Sequence, residues 1–377
     1  MKIAFICGSL EPGKDGVGDY TLRLAKELAR HGHQTSIIAI HDVHASEIFE
    51  SEELNTKDVN RILRLPSRLP GEQSLRRFQA WINRINPDWM SLQFVPFAFH
   101  RKGLPFLLAN ELAKLGKGRR WHIMFHELWV GMPTTASKKH IIWGWMQKKI
   151  VQSLVKRLKP AVTHTQCKLY YLQLLSIGVN ASPLPLFSNI PIGNVKESNQ
   201  AGGKDVLSPS EDLAIVMFGT IHPQALLDQF LSEVNIYRQK TGSSVSLTLV
   251  GHTGEHQKKW TTKFQDAGMR VQVLGVQGVA LISELLTNAT FGVSTSAMAT
   301  IEKSGSVVAM LEHALPVICV GDCWEPREFY LPAPPPGIYT LKDGCIEDIV
   351  NSRVSRSHDY SVSAVAKTFI ESLQKHS

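Results

Sequence analysis

The stretch 291–322, FGVSTSAMATIEKSGSVVAMLEHALPVICVGD, holds the residues whose types and spacing best suit chemistry. Phe291 to Ser294 reads as a short strand that runs into a loop of small residues carrying Glu302 and Lys303. Ser304, Gly305 and Ser306 then open a helix expected to reach about Ala314, and Pro316 stops it before a second apolar run, Pro316 to Val320. The start of a helix presents N–H groups without intrahelical partners and the positive end of the dipole, so it suits an anion. Gly and Ser let the backbone approach a phosphate, Lys303 adds a charge, and Glu312 lies about two turns further on. The arrangement suits a diphosphate at the loop and a ribose at Glu312. It equally fits an ordinary strand-helix-strand unit with a polar loop until its context agrees.

Other strand ends supply further candidates. Gly16-Val17-Gly18 follows the first apolar run and precedes a helix, but Thr21 stands where a dinucleotide fingerprint needs its third glycine. Gly16 and Gly18 therefore line a cleft and approach a phosphate or sugar by backbone, or form a simple turn. His126-Glu127 ends the run WHIMF, and in open α/β sheets the carboxyl ends of strands face the ligand crevice. An imidazole there can donate to a sugar hydroxyl or to developing negative charge. The other histidines, His164 among them, read as ordinary. In the second half, Gly219-Thr220, Gly251-His252-Thr253-Gly254 and Gly275-Val276-Gln277 each close an apolar run, where a nucleotide would meet a sheet edge. No Asp-x-Asp pair occurs, so the diphosphate is expected on helix amides and Lys303 without a metal or other cofactor.

The elements that must position these residues alternate strand and helix, which predicts α/β architecture with two Rossmann-like doubly wound domains. Residues 2–8 read as a strand, Gly8 to Gly18 as a glycine-bearing loop, and Asp19 as the N-cap of a helix closed by Gly32. Gln34 to Ile40, Met90 to Val95, His122 to Phe125 and Ala161 to Thr165 continue the pattern. The composition shifts at Pro183 to Asp212, where Pro, Gly, Ser and charges dominate, and the domain break is expected there. A first domain over 1–190 and a second over 210–358 follow, with an amphipathic helix in 360–377 free to pack on either. The second-half strands are expected at Leu213 to Phe218, Ser246 to Val250, Val271 to Leu274, Phe291 to Ser294 and Pro316 to Val320.

Composition narrows the partners. The 377 residues include 43% hydrophobic and 20% charged, typical of a globular chain. No apolar run reaches the ~18 residues of a membrane span, and MKIAFICGSLEPG reads as a core strand, not a signal peptide. Five scattered cysteines suggest no disulfide framework, which favours a reducing cytoplasm. Cys7 and Cys319 read as buried thiols. Net charge is +8, yet residues 1–190 carry +12 and the remainder −4. Such asymmetry implies an anionic partner for the first half: nucleic acid, an anionic bilayer or a phosphorylated substrate. Residues 101–159 hold 13 Lys and Arg against two Glu, with Trp143 and Trp145 among them. Basic and aromatic residues on one helix suit an anionic bilayer, and no nucleic-acid recognition motif accompanies the charge.

Together GVGDYTLRLAKELARHGH, the strand-end His126, LFSNIPI and LGVQGVALISELLTNATFGVSTS resemble the glycosyltransferases of GT-B fold, in the group 1 or family 4-like class. The resemblance spans nearly the whole chain. The family's donor motif has two glutamates eight apart; Glu312 matches the second, Ser304 stands at the first, and Glu302 lies ten before. The Arg and Lys usual after the first strand of the second domain are absent from Gly219 to Gln224, so Lys303 would supply that charge.

By this resemblance two domains face a central cleft, and a sugar passes with retention from a nucleotide donor, UDP-glucose being the best guess, to a glycan or lipid-linked acceptor in polysaccharide assembly. Glu312 would hold the ribose, Ser304, Gly305, Ser306 and Lys303 the diphosphate, and Glu302 and His126 the sugar hydroxyls. Gly16, Gly18, Thr220, Gly251 and Val276 would complete the donor site, on the cytoplasmic side and peripheral to the membrane. The rivals are a nucleotide-sugar epimerase or phosphorylase of the same architecture, and a membrane-bound scaffold without catalysis.

Overall fold

Lys2–Cys7 (β1) is apolar from its second residue to its last, and Ile3 to Cys7 are fully buried, as a central parallel strand covered on both faces requires. A computed structural model describes residues 1–52, 61–193, 213–331, 333–352 and 360–376. It divides into two compact units: 1–185 with 327–329 and 362–377, and 186–326 with 330–361.

In the first unit β1 is followed by α1 (Gly16–Arg30), β2 (Gln34–Asp42), β3 (Phe49–Glu52), β4 (Arg61–Pro66), α2 (Gly71–Ile85), β5 (Trp89–Phe94), α3 (Pro96–Phe99) and α4 (Leu108–Leu115). Then come β6 (Arg120–Phe125), α5 (Lys138–Leu158), β7 (Val162–Thr165), α6 (Lys168–Ser176) and β8 (Ser182–Pro183). The strands form one sheet in the order β3-β4-β2-β1-β5-β6-β7-β8, parallel throughout except for the β3–β4 pair. The order reverses on either side of β1, the doubly wound pattern.

The second unit runs β9 (Leu213–Phe218), α7 (Leu227–Thr241), β10 (Val245–Val250), α8 (Gln257–Asp266), β11 (Arg270–Gly275), α9 (Val279–Asn288) and β12 (Phe291–Ser294). A 3₁₀ turn, Met298–Lys303, leads to α10 (Gly305–Glu312), β13 (Val317–Cys319), β14 (Ile338–Thr340) and α11 (Cys345–Val350). Its sheet is β11-β10-β9-β12-β13-β14, all parallel. Two apolar layers cover its faces, one built on Phe230, Trp260 and Phe264, the other on Leu286, Val307 and Met310. The last helix, α12 (Val362–Gln374), belongs to the first unit, where Phe369 stacks on Phe5 with ring centroids 5.9 Å apart.

Several local expectations are corrected. Helix α1 starts at Gly16, not after Asp19, because the Asp15 carboxylate accepts from Val17 and Gly18 N–H and caps it. Gly16 and Gly18 thus lie in the first helical turn, not in a loop. Helix α10 ends at Glu312, and Ala314 adopts φ 56°, breaking the helix two residues before Pro316 does. The loop before α10 is wound into the 3₁₀ turn. Strands β3, β4, β8 and β14 lie outside the sequence expectation: two are only two or three residues long, FESE is acidic, and RILRLP breaks its alternation with arginines. The chain passes between units at Pro185 and Leu186, inside the stretch expected to carry the break, of which 194–212 lie outside the described residues. Cys7 and Cys319 are buried free thiols.

Candidate functional site

Three neighbouring strands of the second unit, β9, β10 and β11, close on glycines in the left-handed region: Gly219 at φ 96°, Gly251 at φ 92° and Gly275 at φ 64°. Left-handed glycines let the chain leave the sheet edge at once without a Cβ clash. A Cβ on Gly251 would sit 3.4 Å from the Gly219 nitrogen, and one on Gly219 would sit 3.5 Å from the Ser306 Cβ. The end of β9 therefore meets the first turn of α10, with the end of β10 packed beside it.

That turn is dressed with hydroxyls. Thr295, just past β12, donates through Oγ1 to the Thr220 carbonyl at 2.9 Å and accepts the His222 N–H at 3.0 Å. Ser296 Oγ lies 3.1 Å from Ser304 Oγ, which lies 3.1 Å from Ser306 Oγ. Ser304 is the N-cap of α10, yet its side chain makes no capping bond and turns instead to these neighbours. A Cβ on Gly321 would fall 2.1 Å from the Ser296 carbonyl, so glycine at 321 is what lets this loop lie down on the end of β13. The first turn of α10 keeps the amides and dipole that attract an anion, and Ser304, Gly305 and Ser306 are half-buried, reachable by a ligand.

Glu302 and Glu312 share a neighbour that sequence reasoning missed. The Glu312 Oε2 accepts the Tyr360 N–H at 3.0 Å, and the Tyr360 carbonyl accepts the Ser188 N–H at 2.8 Å. Burial raises the Tyr360 phenol above its ordinary range, and the charges of Glu302 and Glu312 raise it further. The residue just past α10, His313, is buried: Nδ1 donates to the Ala309 carbonyl at 2.8 Å and Nε2 accepts from Ser283 Oγ, itself the acceptor for Gly193 N–H. The structure thus brings Thr220, Gly251, Ser304, Gly305 and Ser306 to one edge, with Glu302 and Glu312 gathered at Tyr360. Val276 stands apart at the end of β11, two strands from β9 and 64% exposed.

In the first unit His126 follows β6, buried at 3% exposure, its Nε2 2.9 Å from Gln93 Oε1 and its ring met edge-on by Tyr20 of α1 at 4.9 Å. His122, within β6, and His164, one strand over on β7, lie 3.1 Å apart, Nε2 to Nδ1, beneath Phe369. Burial and the neighbouring rings hold the His122 imidazole well below its usual range, and burial pushes His164 down to about 4. His164 is therefore no ordinary surface histidine. The α1 N-terminus differs from that of α10, since Asp15 already supplies its negative charge. Gly18 is buried, and its Cβ would lie 2.8 Å from the Ser9 carbonyl, whereas Gly16 is exposed with nothing within 4 Å. Gly18 serves close packing of α1 on the β1 loop.

A second surface lies on α5. Lys138, Ile142, Trp145, Lys149 and Lys156 fall at helical spacing and are all exposed, with Lys149 Nζ 5.7 Å from the centre of the Trp145 ring. Trp143 points the other way and donates its Nε1–H to the Lys102 carbonyl at 2.9 Å. Among the described residues no helix is long and apolar enough to cross a membrane.

Thr295, Ser296, Gln93 and Tyr360 were not picked out by sequence. Gln93 was discoverable, since Ser91 and Gln93 alternate as polar residues inside the otherwise apolar strand WMSLQF. Tyr360 was not, because it is far in sequence from Glu312 and Ser188, which it bonds.

No family profile matches the sequence, and no curated protein does. Solved structures do match in fold. A sucrose-phosphate synthase from Thermosynechococcus elongatus aligns over 100% of this chain and 98% of its own, with TM-score 0.61 and 14% identity. Anabaena Alr3699/HepE in complex with UDP aligns over 100% of both chains, with TM-score 0.57 and 14% identity. A putative UDP-N-acetylglucosamine 2-epimerase from Listeria monocytogenes aligns over 100% of this chain and 96% of its own, with TM-score 0.56 and 11% identity. The chain has the GT-B fold, as the motifs led one to expect.

Proposed function

We propose that this GT-B chain is a glycosyltransferase that moves a sugar from a nucleotide donor to a glycan or lipid-linked acceptor, with UDP-glucose the best donor candidate. The observation that carries the reading is the first turn of α10, without a side-chain cap and set against Gly219, whose own neighbours at the carboxyl edge of the second sheet include Gly251. That edge is where open α/β sheets receive ligands. The UDP complex of Alr3699/HepE, a structure of the same fold, supports a uridine nucleotide.

In this reading the amides of Gly305 and Ser306 and the Lys303 ammonium hold the diphosphate and stabilise the charge that grows on it as the glycosidic bond breaks. Glu312 accepts from the ribose hydroxyls and Glu302 addresses the sugar, both steered by Tyr360. His126 and the α1 end, with Gly16, serve the acceptor in the first unit. Retention, with the leaving phosphate taking the acceptor proton and no metal at the diphosphate, follows from the family resemblance.

The exposed Lys-Ile-Trp-Lys face of α5 supports contact with an anionic bilayer on the cytoplasmic side, where a lipid-linked acceptor would be met. Calorimetry with UDP, GDP and ADP, followed by product analysis with candidate acceptors, tests the whole. Binding of none of the three would end the reading. The second reading, an epimerase, is favoured by the Listeria structure. It predicts a changed donor sugar with no acceptor present.

A further inference from the structure

Five buried polar side chains in the first unit are joined end to end. His126 Nε2 meets Gln93 Oε1 at 2.9 Å, Gln93 Nε2 donates to Ser91 Oγ at 2.8 Å, Ser91 Oγ meets His122 Nδ1 at 2.8 Å, and His122 Nε2 meets His164 Nδ1 at 3.1 Å. Ser91 and His122 are 0% exposed, Gln93 and His164 1%, His126 3%. The parallel register explains how strands carry them: Ser91 pairs with His122, Gln93 with Met124, and Met124 with His164, so all lie on one face of β5, β6 and β7. Helices α1 and α12 close that face through Tyr20 and Phe369.

Such a line is costly to keep. Each buried polar group left unmatched would lose its hydrogen bonds to water without replacement, whereas apolar residues of the same shape would pack without that risk. The bonds also have one sense. The Gln93 amide donates to Ser91, so its oxygen faces His126 and takes the Nε2–H. Ser91 O–H then donates to His122 Nδ1, and His122 Nε2–H to His164 Nδ1. Only His126 stands beyond a strand's carboxyl end; the other four are sealed in the core. Nothing in packing requires a strand interior to carry Ser and Gln at alternate positions, but orienting an imidazole at the strand end does.

We propose that Gln93 is a positioning residue for His126: with Ser91, His122 and His164 behind it, it fixes the ring plane and holds the proton on Nε2, leaving Nδ1 as the ring's acceptor nitrogen. In this arrangement the line behind His126 keeps the ring's tautomer from switching. The role in transfer rests on the glycosyltransferase reading; the tautomer does not.

The test uses the full-length protein with 15N-labelled histidine. Long-range proton-nitrogen correlation spectra are expected to show His126 as a single Nε2–H tautomer. Q93L should give a tautomer mixture or the Nδ1–H form, and Q93E, whose carboxylate still accepts at Nε2 but cannot donate to Ser91, should keep Nε2 protonated. Transfer should fall by on the order of 10- to 100-fold in Q93L, with UDP affinity by calorimetry unchanged. An unaltered His126 tautomer in Q93L, or an unaltered transfer rate, would overturn the proposal. A wild-type chain that turns over no donor would count against the glycosyltransferase reading alone, and the spectra would still decide the positioning.

Discussion

The Glu312 carboxylate and the Tyr360 backbone are joined directly, Oε2 accepting the N–H at 3.0 Å. The carboxylate expected to hold a ribose thus also anchors the residue two before the last helix, and Tyr360 in turn holds Ser188 through its carbonyl. A ligand on Glu312 would be felt at two of the chain segments that leave the second unit, near Ser188 and near Tyr360. Glu312→Ala should therefore do two things. Calorimetry should show UDP affinity lowered by about tenfold or more, and denaturant titration a stability loss of about 1.5–3 kcal/mol for the lost charge-assisted bond. Loss of stability with unchanged UDP affinity would make Glu312 purely structural.

Two glycines separate the candidate sites by a simple substitution. Gly219 has φ 96° and faces Ser306, so Gly219→Ala strains the backbone by about 1–2 kcal/mol and pushes a methyl toward the α10 mouth. UDP affinity should fall by at least fivefold. Gly16 opens α1 in the helical region with nothing within 4 Å of a built Cβ, so Gly16→Ala should leave thermal stability within about 0.5 kcal/mol. A large drop in transfer rate for Gly16→Ala, with stability intact, would show that its bare backbone meets the substrate.

Acid should weaken the fold in two windows. His164 is held down to about 4 and His122 well below its usual range, while both return to about 6.5 on unfolding. The unfolded chain then binds more protons between these values, so stability rises with pH there and is lost as pH falls from about 6.5 toward 4. His164→Gln keeps an acceptor for His122 but cannot titrate, and denaturant midpoints across this range should fall less steeply than in the parent. Asp42 adds a second loss at lower pH. It is buried; burial would raise its carboxyl, but Arg64, with the His44 N–H and Ser9 hydroxyl, holds it below the usual range. Its contribution is present above about 3.9 and disappears as pH falls further. Asp42→Asn should cost about 3 kcal/mol at neutral pH.

The α5 face gives a salt-dependent prediction. Vesicles containing anionic lipid should sediment the protein at low ionic strength and release it as salt rises, since each exposed Lys contributes about 1 kcal/mol only within a Debye length. Trp145→Ala with Lys149→Glu removes the exposed ring and reverses one charge, leaving Trp143 and its bond to Lys102 intact. Sedimentation should drop severalfold; binding equal to the parent's would place the membrane contact elsewhere or nowhere.

Much of this organisation was legible in the residues, because a parallel strand buried on both faces is a continuous apolar run. LAIVMF and FGVS match β9 and β12 to the residue. The glycines that end β9, β10 and β11 were visible too, since a sharp exit from a sheet edge selects them. What escaped detection depends on distant pairing. RILRLP has strand character only once it lies beside β2, where Arg64 can reach Asp42. Asp15 and Asp19 are both plausible caps by type, and only the chain geometry shows that Asp15 reaches the Val17 and Gly18 amides. Tyr360 bonds Glu312 across some fifty residues, a relationship no local pattern records.

The central claim is that a nucleotide diphosphate rests on the open first turn of α10, and backbone-amide NMR of the 15N-labelled chain during UDP titration tests it most directly. The account predicts saturable shifts at the Gly305 and Ser306 amides, with smaller ones at Gly219 and Thr295. Saturating UDP that moves other amides while Gly305 and Ser306 stay still would contradict it.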